Sequence, residues 1–230
     1  MVTLEEMLDA GVHFGHQARR WNPKMEAYIY GQRNGIHIID ILKTRVCLEE
    51  AGEFLFKTAS EGKKILFVGT KRQAANVVSV SASQSNSFFV NQRWLGGMLT
   101  NWSTMRVCIQ KLNTLEKQLI TGVFDQLPKK EAALRKKQLD RLSKYLGGVK
   151  GMTSLPDVVV IVGQSRELNA VHECNRLGIR TITILDTNSN PDLADFFIPA
   201  NDDSLRSIEL ILTNLTQAIQ RGQTYRKSAS

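Results

Sequence analysis

Residues 157–186 decide the fold class of this 230-residue chain and read DVVVIVGQSRELNAVHECNRLGIRTITILD. Two short apolar runs, VVVIV and TITIL, flank a helix-compatible segment that ends at Gly178. Strands that are apolar on both faces are typical of parallel sheets covered by helices on both sides. The stretch therefore predicts a strand–helix–strand unit of an α/β protein.

The same alternation extends outward from this unit. Further predicted strands lie at 64–69, 88–90 and 196–199, and further predicted helices at 40–62, 71–83 and 204–221. Asn34-Gly35 lies between two strand-like runs, 28–30 and 36–39, and predicts a β-hairpin turn. The polar tail 221–230 is expected to be loosely ordered.

Residues 101–146 interrupt the alternation and predict an antiparallel helical hairpin inserted into the α/β core. Apolar residues recur there at spacings typical of one helix face: Met105, Cys108, Leu112, Leu115 and Leu119, then Leu139, Leu142 and Leu146. Gly122 and Pro128 mark the turn between the two helices. The predicted core consists of residues 1–100 and 147–230, and residues 1–40 form an arm and a β-hairpin.

The basic charge is concentrated in the middle of the chain. The net charge is +8, and residues 61–151 alone contain 16 basic and 5 acidic residues, whereas both flanks are slightly acidic. Such an uneven distribution favours a polyanionic partner, although a solubilising surface remains an alternative.

Several basic segments are candidates for RNA contact. Two loops place cations beside tryptophan, which can stack on unpaired bases or pack in a core. Lys71 and Arg72 begin a helix, whose N-terminus can bind a phosphate or form an ordinary turn. The second hairpin helix carries a cationic face that either binds RNA or is solvated: Lys129, Lys130, Arg135, Lys136, Lys137, Arg141 and Lys144. The candidate RNA-binding residues are Arg19, Arg20, Trp21, Lys24, Lys71, Arg72, Arg93, Trp94, Asn101, Lys129, Lys130, Lys136, Lys137 and Arg141.

Signals for catalysis or metal binding are weak. The chain has neither GxGxxG nor GxxxxGK[ST], the common phosphate-binding motifs of nucleotide-binding enzymes. A nucleotide- or sugar-nucleotide-binding enzyme is therefore kept only as the alternative hypothesis, with Val68–Lys71 as its phosphate site. His13 and His16 have no third or fourth ligand nearby in sequence, so we expect hydrogen-bonded or RNA-facing histidines and no metal. The three cysteines are widely spaced, which fits a reducing compartment. We expect no catalytic residues and no cofactor.

Several long blocks resemble the family of small-subunit ribosomal protein two, of the bacterial and organellar type. They are AGVHFGHQARRWNPKMEAYIYGQRNGIHIIDILKT, FVGTKRQA, VNQRWLGGMLTNWSTM, LPDVVVIV and DTNSNPDLADFFIPANDDSLRSIELI. The resemblance extends in colinear order from about Leu4 to Ile219. LPKKEAALRKKQLDRLSKYLGGVKGM further resembles the plastid versions. Ser189 replaces a cysteine common in the family, which weakens any metal site using that position.

This resemblance implies a flavodoxin-like three-layer core with a projecting helical hairpin. It also implies a structural, non-catalytic component of the small ribosomal subunit at the junction of head and body, in contact with small-subunit rRNA and neighbouring ribosomal proteins. We therefore expect no membrane partner, no small-molecule substrate and no homo-oligomer. The expected location is the chloroplast stroma, with the bacterial cytoplasm as the alternative.

Overall fold

A five-stranded parallel sheet lies at the centre of the chain, in a computed structural model that describes residues 2–229. The strands are β1 Phe14–Gln17, β2 Ile29–Arg33, β3 Ile36–Ile39, β4 Ile65–Val68, β5 Phe88–Val90, β6 Val158–Val162, β7 Arg180–Leu185 and β8 Phe196–Pro199. The helices are α1 Leu4–Asp9, α2 Ile41–Ser60, α3 Arg72–Gln84, α4 Trp102–Ile120, α5 Lys129–Leu146, α6 Leu168–Leu177 and α7 Leu205–Ala229.

The strand order of the large sheet is β5-β4-β6-β7-β8, and every neighbouring pair is parallel. This order is that of the flavodoxin-like α/β fold, which confirms the predicted class. The order reverses between β4 and β6. In such sheets, ligands bind outside the carboxyl ends of the strands near that reversal.

Alternate side chains of each central strand enter two separate apolar cores. Ile65 and Phe67 of β4 face a core shared with α2, α3 and α7. Leu66 and Val68 face a second core shared with α4, α5 and α6. Because both faces of the strand are buried, the apolar runs in the sequence are continuous rather than alternating.

A small antiparallel sheet of order β1-β3-β2 forms beside the large one. The predicted turn at Asn34-Gly35 is confirmed, since both residues have positive φ angles, 51° and 76°. Strand β1 and the capped helix α1 were absent from the sequence prediction. The FGHQ sequence of β1 lacks alternating hydrophobicity, and its position depends on contacts with the carboxyl edge of the large sheet.

The hairpin at 101–146 contains the two expected helices, but its apolar face differs from the predicted one. The buried residues of α4 are Met105, Ile109, Leu112 and Leu115. Cys108 is half-buried and Leu119 is exposed, which corrects the predicted seam. Helix α4 packs against the second core as well as against α5. For this reason Ile109, rather than Cys108, is one of its buried residues.

Helix α7 continues to Ala229, which corrects the prediction of a loose tail from residue 221. Contacts with α2 and with the end of α3 stabilise this last part. Gln223 Nε2 donates to the carbonyl of Ser85 at 2.6 Å, and the Tyr225 ring lies 5.9 Å from that of Phe56. Ser230, the last residue of the predicted tail, lies outside the described residues.

Candidate nucleic-acid interface

The outer face of α5 is strongly cationic. Leu139 and Leu146 are buried against the core, and the charged residues project from the opposite side of the helix. Lys144 is exposed and forms no ion pair with another described residue, but its Nζ lies 5.9 Å from the centroid of the Tyr145 ring. Five basic residues are exposed and form neither an ion pair nor a ring contact with another described residue: Lys129, Lys130, Lys136, Lys137 and Arg141. We call these five residues the α5 basic face.

Arg135 does not belong to the α5 basic face, which corrects its assignment from the sequence. It precedes Leu139 by one helical turn and therefore lies toward the buried side. Its guanidinium contacts Glu131 Oε1 at 2.7 Å and Gln118 Oε1 at 3.4 Å. Arg135 thus links the two hairpin helices.

The N-terminal arm places Arg19 and Arg20 on the surface beside the carboxyl edge of the large sheet. The backbone N–H of Asn22 donates to the carbonyl of Thr187 at 2.8 Å, which fastens the arm there. Both arginines are exposed, whereas Trp21 is half-buried with its ring 5.3 Å from that of His37. Lys24 is exposed but forms an ion pair with Asp192.

The loop at 91–101 is organised by Glu173 of α6, a residue that the sequence did not single out. Its carboxylate accepts from Trp94 Nε1 at 2.9 Å and from the backbone N–H groups of Gly97 at 2.8 Å, Leu99 at 2.9 Å and Thr100 at 3.0 Å. Burial alone would raise the pKa of Glu173, but these hydrogen bonds outweigh burial and lower it. The carboxylate is therefore ionised and fixes the loop.

This anchoring corrects one predicted RNA contact in the loop. Trp94 is only 7% exposed and packs in the second core, so its ring is not available for stacking on a base. Arg93 and Asn101 are exposed on either side of it. No feature near Trp94 in sequence identifies Glu173, because the two residues are 79 positions apart.

Lys71 is a second correction, because it is only 9% exposed and is therefore not available for phosphate binding. Its Nζ lies 2.6 Å from Asp202 Oδ1 and 3.0 Å from Asp203 Oδ1. Burial alone would lower the pKa of Lys71, but the two carboxylates outweigh it and raise the pKa. The neighbouring Arg72 is exposed at the start of α3.

At the carboxyl edge, His16 and Asp186 lie beside the ion pairs that Lys71 forms with Asp202 and Asp203. His16 Nδ1 lies 2.8 Å from Asp186 Oδ2, and this hydrogen bond raises the pKa of His16 although burial opposes it. Burial raises the pKa of Asp202 to about 6, and the negative charges of Asp186 and Asp203 add to the effect, whereas Lys71 opposes it. This cluster could not be recognised from the sequence, because His16 is 170 or more positions away from the three aspartates.

Eleven of the fourteen predicted RNA-binding residues fall into three sets, and Trp21, Lys24 and Asn101 lie outside them. Arg19, Arg20, Arg72 and Arg93 are exposed near the carboxyl ends of the parallel strands. The α5 basic face forms a separate set on the hairpin. Lys71 and Trp94 are buried.

The N-terminal arm packs against the carboxyl end of β7. The backbone N–H of His16 donates to Asp186 Oδ1 at 3.1 Å and to Thr187 Oγ1 at 3.0 Å. A Cβ on Gly15 would lie 2.6 Å from Thr187 Cγ2, so only glycine permits this approach of the arm. None of the helices in residues 2–229 combines the length and the apolar character needed to cross a bilayer.

Comparison with known proteins identifies the family. The sequence model described as "Ribosomal protein S2" matches residues 7–222. The chain is 59% identical over 222 residues to "Small ribosomal subunit protein uS2c" of Mesostigma viride, covering 96% of this chain and 97% of the relative. It is 55% identical over 230 residues to the protein of the same name from Cyanophora paradoxa, covering 100% and 99%.

A cyanobacterial relative agrees with these two. "Small ribosomal subunit protein uS2" of Synechococcus sp. (strain RCC307) is 55% identical over 223 residues, covering 97% of this chain and 95% of the relative. The resemblance stated from the sequence is confirmed, and the enzyme alternative is not supported. The chain belongs to the ribosomal protein S2 family, whose members are structural constituents of the small ribosomal subunit rather than enzymes.

Proposed function

We propose that this chain is a structural component of the small subunit of a plastid ribosome, in the chloroplast stroma, and that it binds small-subunit rRNA directly. The names of the plastid relatives support the assignment to a plastid, and the cyanobacterial relatives make a bacterial ribosome the alternative. The chain acts as a single copy among neighbouring ribosomal proteins at the junction of head and body, with no cofactor, substrate or membrane partner.

The observation that carries the proposal of direct RNA binding is the α5 basic face. Lys137 and Arg141 are one helical turn apart, and a like-charged pair at that spacing costs a few tenths of a kcal/mol. Phosphates would relieve this repulsion and release counterions, which makes RNA binding favourable and salt-dependent. A second contact region comprises Arg19, Arg20, Arg72 and Arg93.

The proposal is tested by removing three charges from the α5 basic face. The variant carries Lys136→Gln, Lys137→Gln and Arg141→Gln, and the matched control carries Arg45→Gln, Lys57→Gln and Arg221→Gln on the α2/α7 side. Affinity for small-subunit rRNA is measured between about 50 and 200 mM salt. With about six phosphate contacts, the wild-type affinity falls roughly 10³-fold or more over that range.

The α5 variant is expected to fold normally and to bind more weakly. Each lost phosphate contact reduces the slope of log affinity against log salt by about 0.7–0.9, so three contacts reduce it by about 2–3. The control should retain most of the affinity and slope. Equal affinity and slope in the α5 variant and the wild type would contradict binding through this face.

A further inference from the structure

We propose that His16, Asp202 and Asp203, with Asp186 orienting the imidazole, bind one divalent transition-metal ion, with Zn²⁺ as the best match, which fastens the N-terminal arm to the carboxyl edge of the sheet. One potential ligand atom from each residue lies within 4.8 Å of the other three. The residues come from β1, from the end of β7 and from the segment after β8. The site would therefore join the first part of the chain to its last third.

The first observation is a buried carboxylate oxygen without a partner. Asp202 is 0% exposed, and its Oδ2 accepts no hydrogen bond in the described part of the chain. Lys71 contacts the Oδ1 atoms of both Asp202 and Asp203, which leaves the Oδ2 atom of each carboxylate for another cation. An unsatisfied buried carboxylate oxygen is costly, so this atom points to a missing electropositive partner.

The second observation is the orientation of His16. Its Nδ1 is hydrogen-bonded to Asp186, which leaves the lone pair of a neutral imidazole on Nε2. That atom faces Asp203 Oδ2 at 3.4 Å, a distance longer than a charge-assisted hydrogen bond. Two ligands about 2.0–2.1 Å from a tetrahedral zinc ion are about 3.3–3.4 Å apart, so a metal fits between these atoms.

The arrangement of Asp186 is consistent with this function. Metal-binding histidines commonly donate their second ring N–H to a carboxylate, which fixes the tautomer and the ring orientation. Asp186 is itself fixed by Thr187, whose hydroxyl donates to Asp186 Oδ1 at 3.1 Å. Asp186 thus positions the imidazole so that its Nε2 faces Asp203.

Charge and donor type select the ion. Three carboxylates and Lys71 sum to −2 when His16 is neutral, which a divalent cation balances. Arg19 and Arg20 line the same cleft, of about 340 Å³, but no ion pair among residues 2–229 joins them to these carboxylates. One imidazole and two carboxylates, with water in the remaining position, favour Zn²⁺ over Mg²⁺ or Ca²⁺, which prefer all-oxygen sites.

The test measures Zn²⁺ binding by the full-length protein after chelator treatment. Competition with a chromophoric chelator gives affinity and stoichiometry, and Co²⁺ serves as a second probe because a tetrahedral site produces intense visible absorption. We expect one Zn²⁺ per chain, a higher melting temperature with Zn²⁺ and little change with Mg²⁺. His16→Gln and Asp203→Asn should each weaken Zn²⁺ binding at least about tenfold.

Asp192→Asn is the matched control. It removes the ion pair between the arm and the carboxyl edge formed with Lys24, but no donor atom of the proposed site. Circular dichroism of the metal-free variants checks that they fold, so loss of binding is not mistaken for unfolding. The proposal is overturned if the folded wild type binds no stoichiometric Zn²⁺, if both site variants bind like the wild type, or if Mg²⁺ stabilises as well as Zn²⁺.

Discussion

Replacing Glu173 by Gln should destabilise the protein and loosen the loop that presents Arg93. The substitution keeps the shape of the side chain but changes one carboxylate oxygen into an NH₂ group, which cannot accept a hydrogen bond. In the wild type, Oε1 accepts from Trp94 and Gly97, and Oε2 accepts from Leu99 and Thr100. Either orientation of the amide therefore leaves at least two donors without an acceptor.

The magnitude follows from the burial of those donors. If the amide oxygen takes the Oε2 position, the buried indole N–H of Trp94 and the N–H of Gly97 lose their partner. A buried donor without an acceptor costs about 1–3 kcal/mol, and the N–H of the half-buried Gly97 can partly turn to water, so the expected loss of stability is about 2–4 kcal/mol. For a chain of this length, that loss lowers the melting temperature by roughly 4–16 °C.

The assay is thermal unfolding as a function of pH, with the exposed Glu209→Gln as control. The pKa of Glu173 is lower in the folded state than its ordinary value of 4.5, so its ionisation stabilises the protein above that value. This stability is lost as pH falls through the lowered pKa. The gap between wild type and Glu173→Gln should thus be constant above about pH 5.5 and shrink in acid.

Two results would refute this reasoning. If Glu173→Gln melts within about 0.5 kcal/mol of the wild type, as we expect for surface changes such as Glu209→Gln, the carboxylate does not anchor the loop. If the gap persists undiminished at low pH, the stabilisation does not come from the ionised carboxylate.

Three other substitutions probe the buried parts of the fold by thermal or denaturant unfolding. Trp94→Ala should lower the free energy of unfolding by about 3–5 kcal/mol, because the ring is in the second core. A change below about 0.5 kcal/mol would instead place the ring on the surface. Lys71→Met should lower the free energy of unfolding of the metal-free protein by about 3–5 kcal/mol, because it leaves Asp202 buried without its cation. Unchanged stability would contradict the ion pair between Lys71 and Asp202. Gly222→Ala should cost about 1–3 kcal/mol, because its Cβ would lie 2.4 Å from the carbonyl oxygen of Phe56; a stabilised variant would show that α7 does not pack this closely.

The sequence was a good guide wherever local chemistry determines structure. The strand at 158–162 was predicted within one residue at each end, because burial on both faces gives an uninterrupted apolar run. The start of α2 was recognisable from Asp40, whose side chain accepts from the N–H of Leu42 at 3.0 Å. The Asn34-Gly35 turn depends likewise on two residues that tolerate positive φ.

The sequence was a poor guide wherever a residue depends on a distant partner. Trp94 and Lys71 resemble RNA-binding residues when only their neighbours are considered, yet Glu173 and Asp202 hold them inside the protein. The end of α7 looks like a polar tail because its stabilising contacts come from α2 and the end of α3. Similarly, a search for nearby ligands of His16 finds none, since the aspartates follow it by at least 170 positions.

The central claim is that the α5 basic face lies against rRNA in the small subunit. The most direct measurement is photocrosslinking in assembled small subunits. Two variants of this chain are compared, one with a benzophenone amino acid in place of Lys137 and one with it in place of Lys57 of α2. The account predicts crosslinks to small-subunit rRNA from position 137 and few or none from position 57. Efficient incorporation into subunits without rRNA crosslinks from position 137 would contradict it.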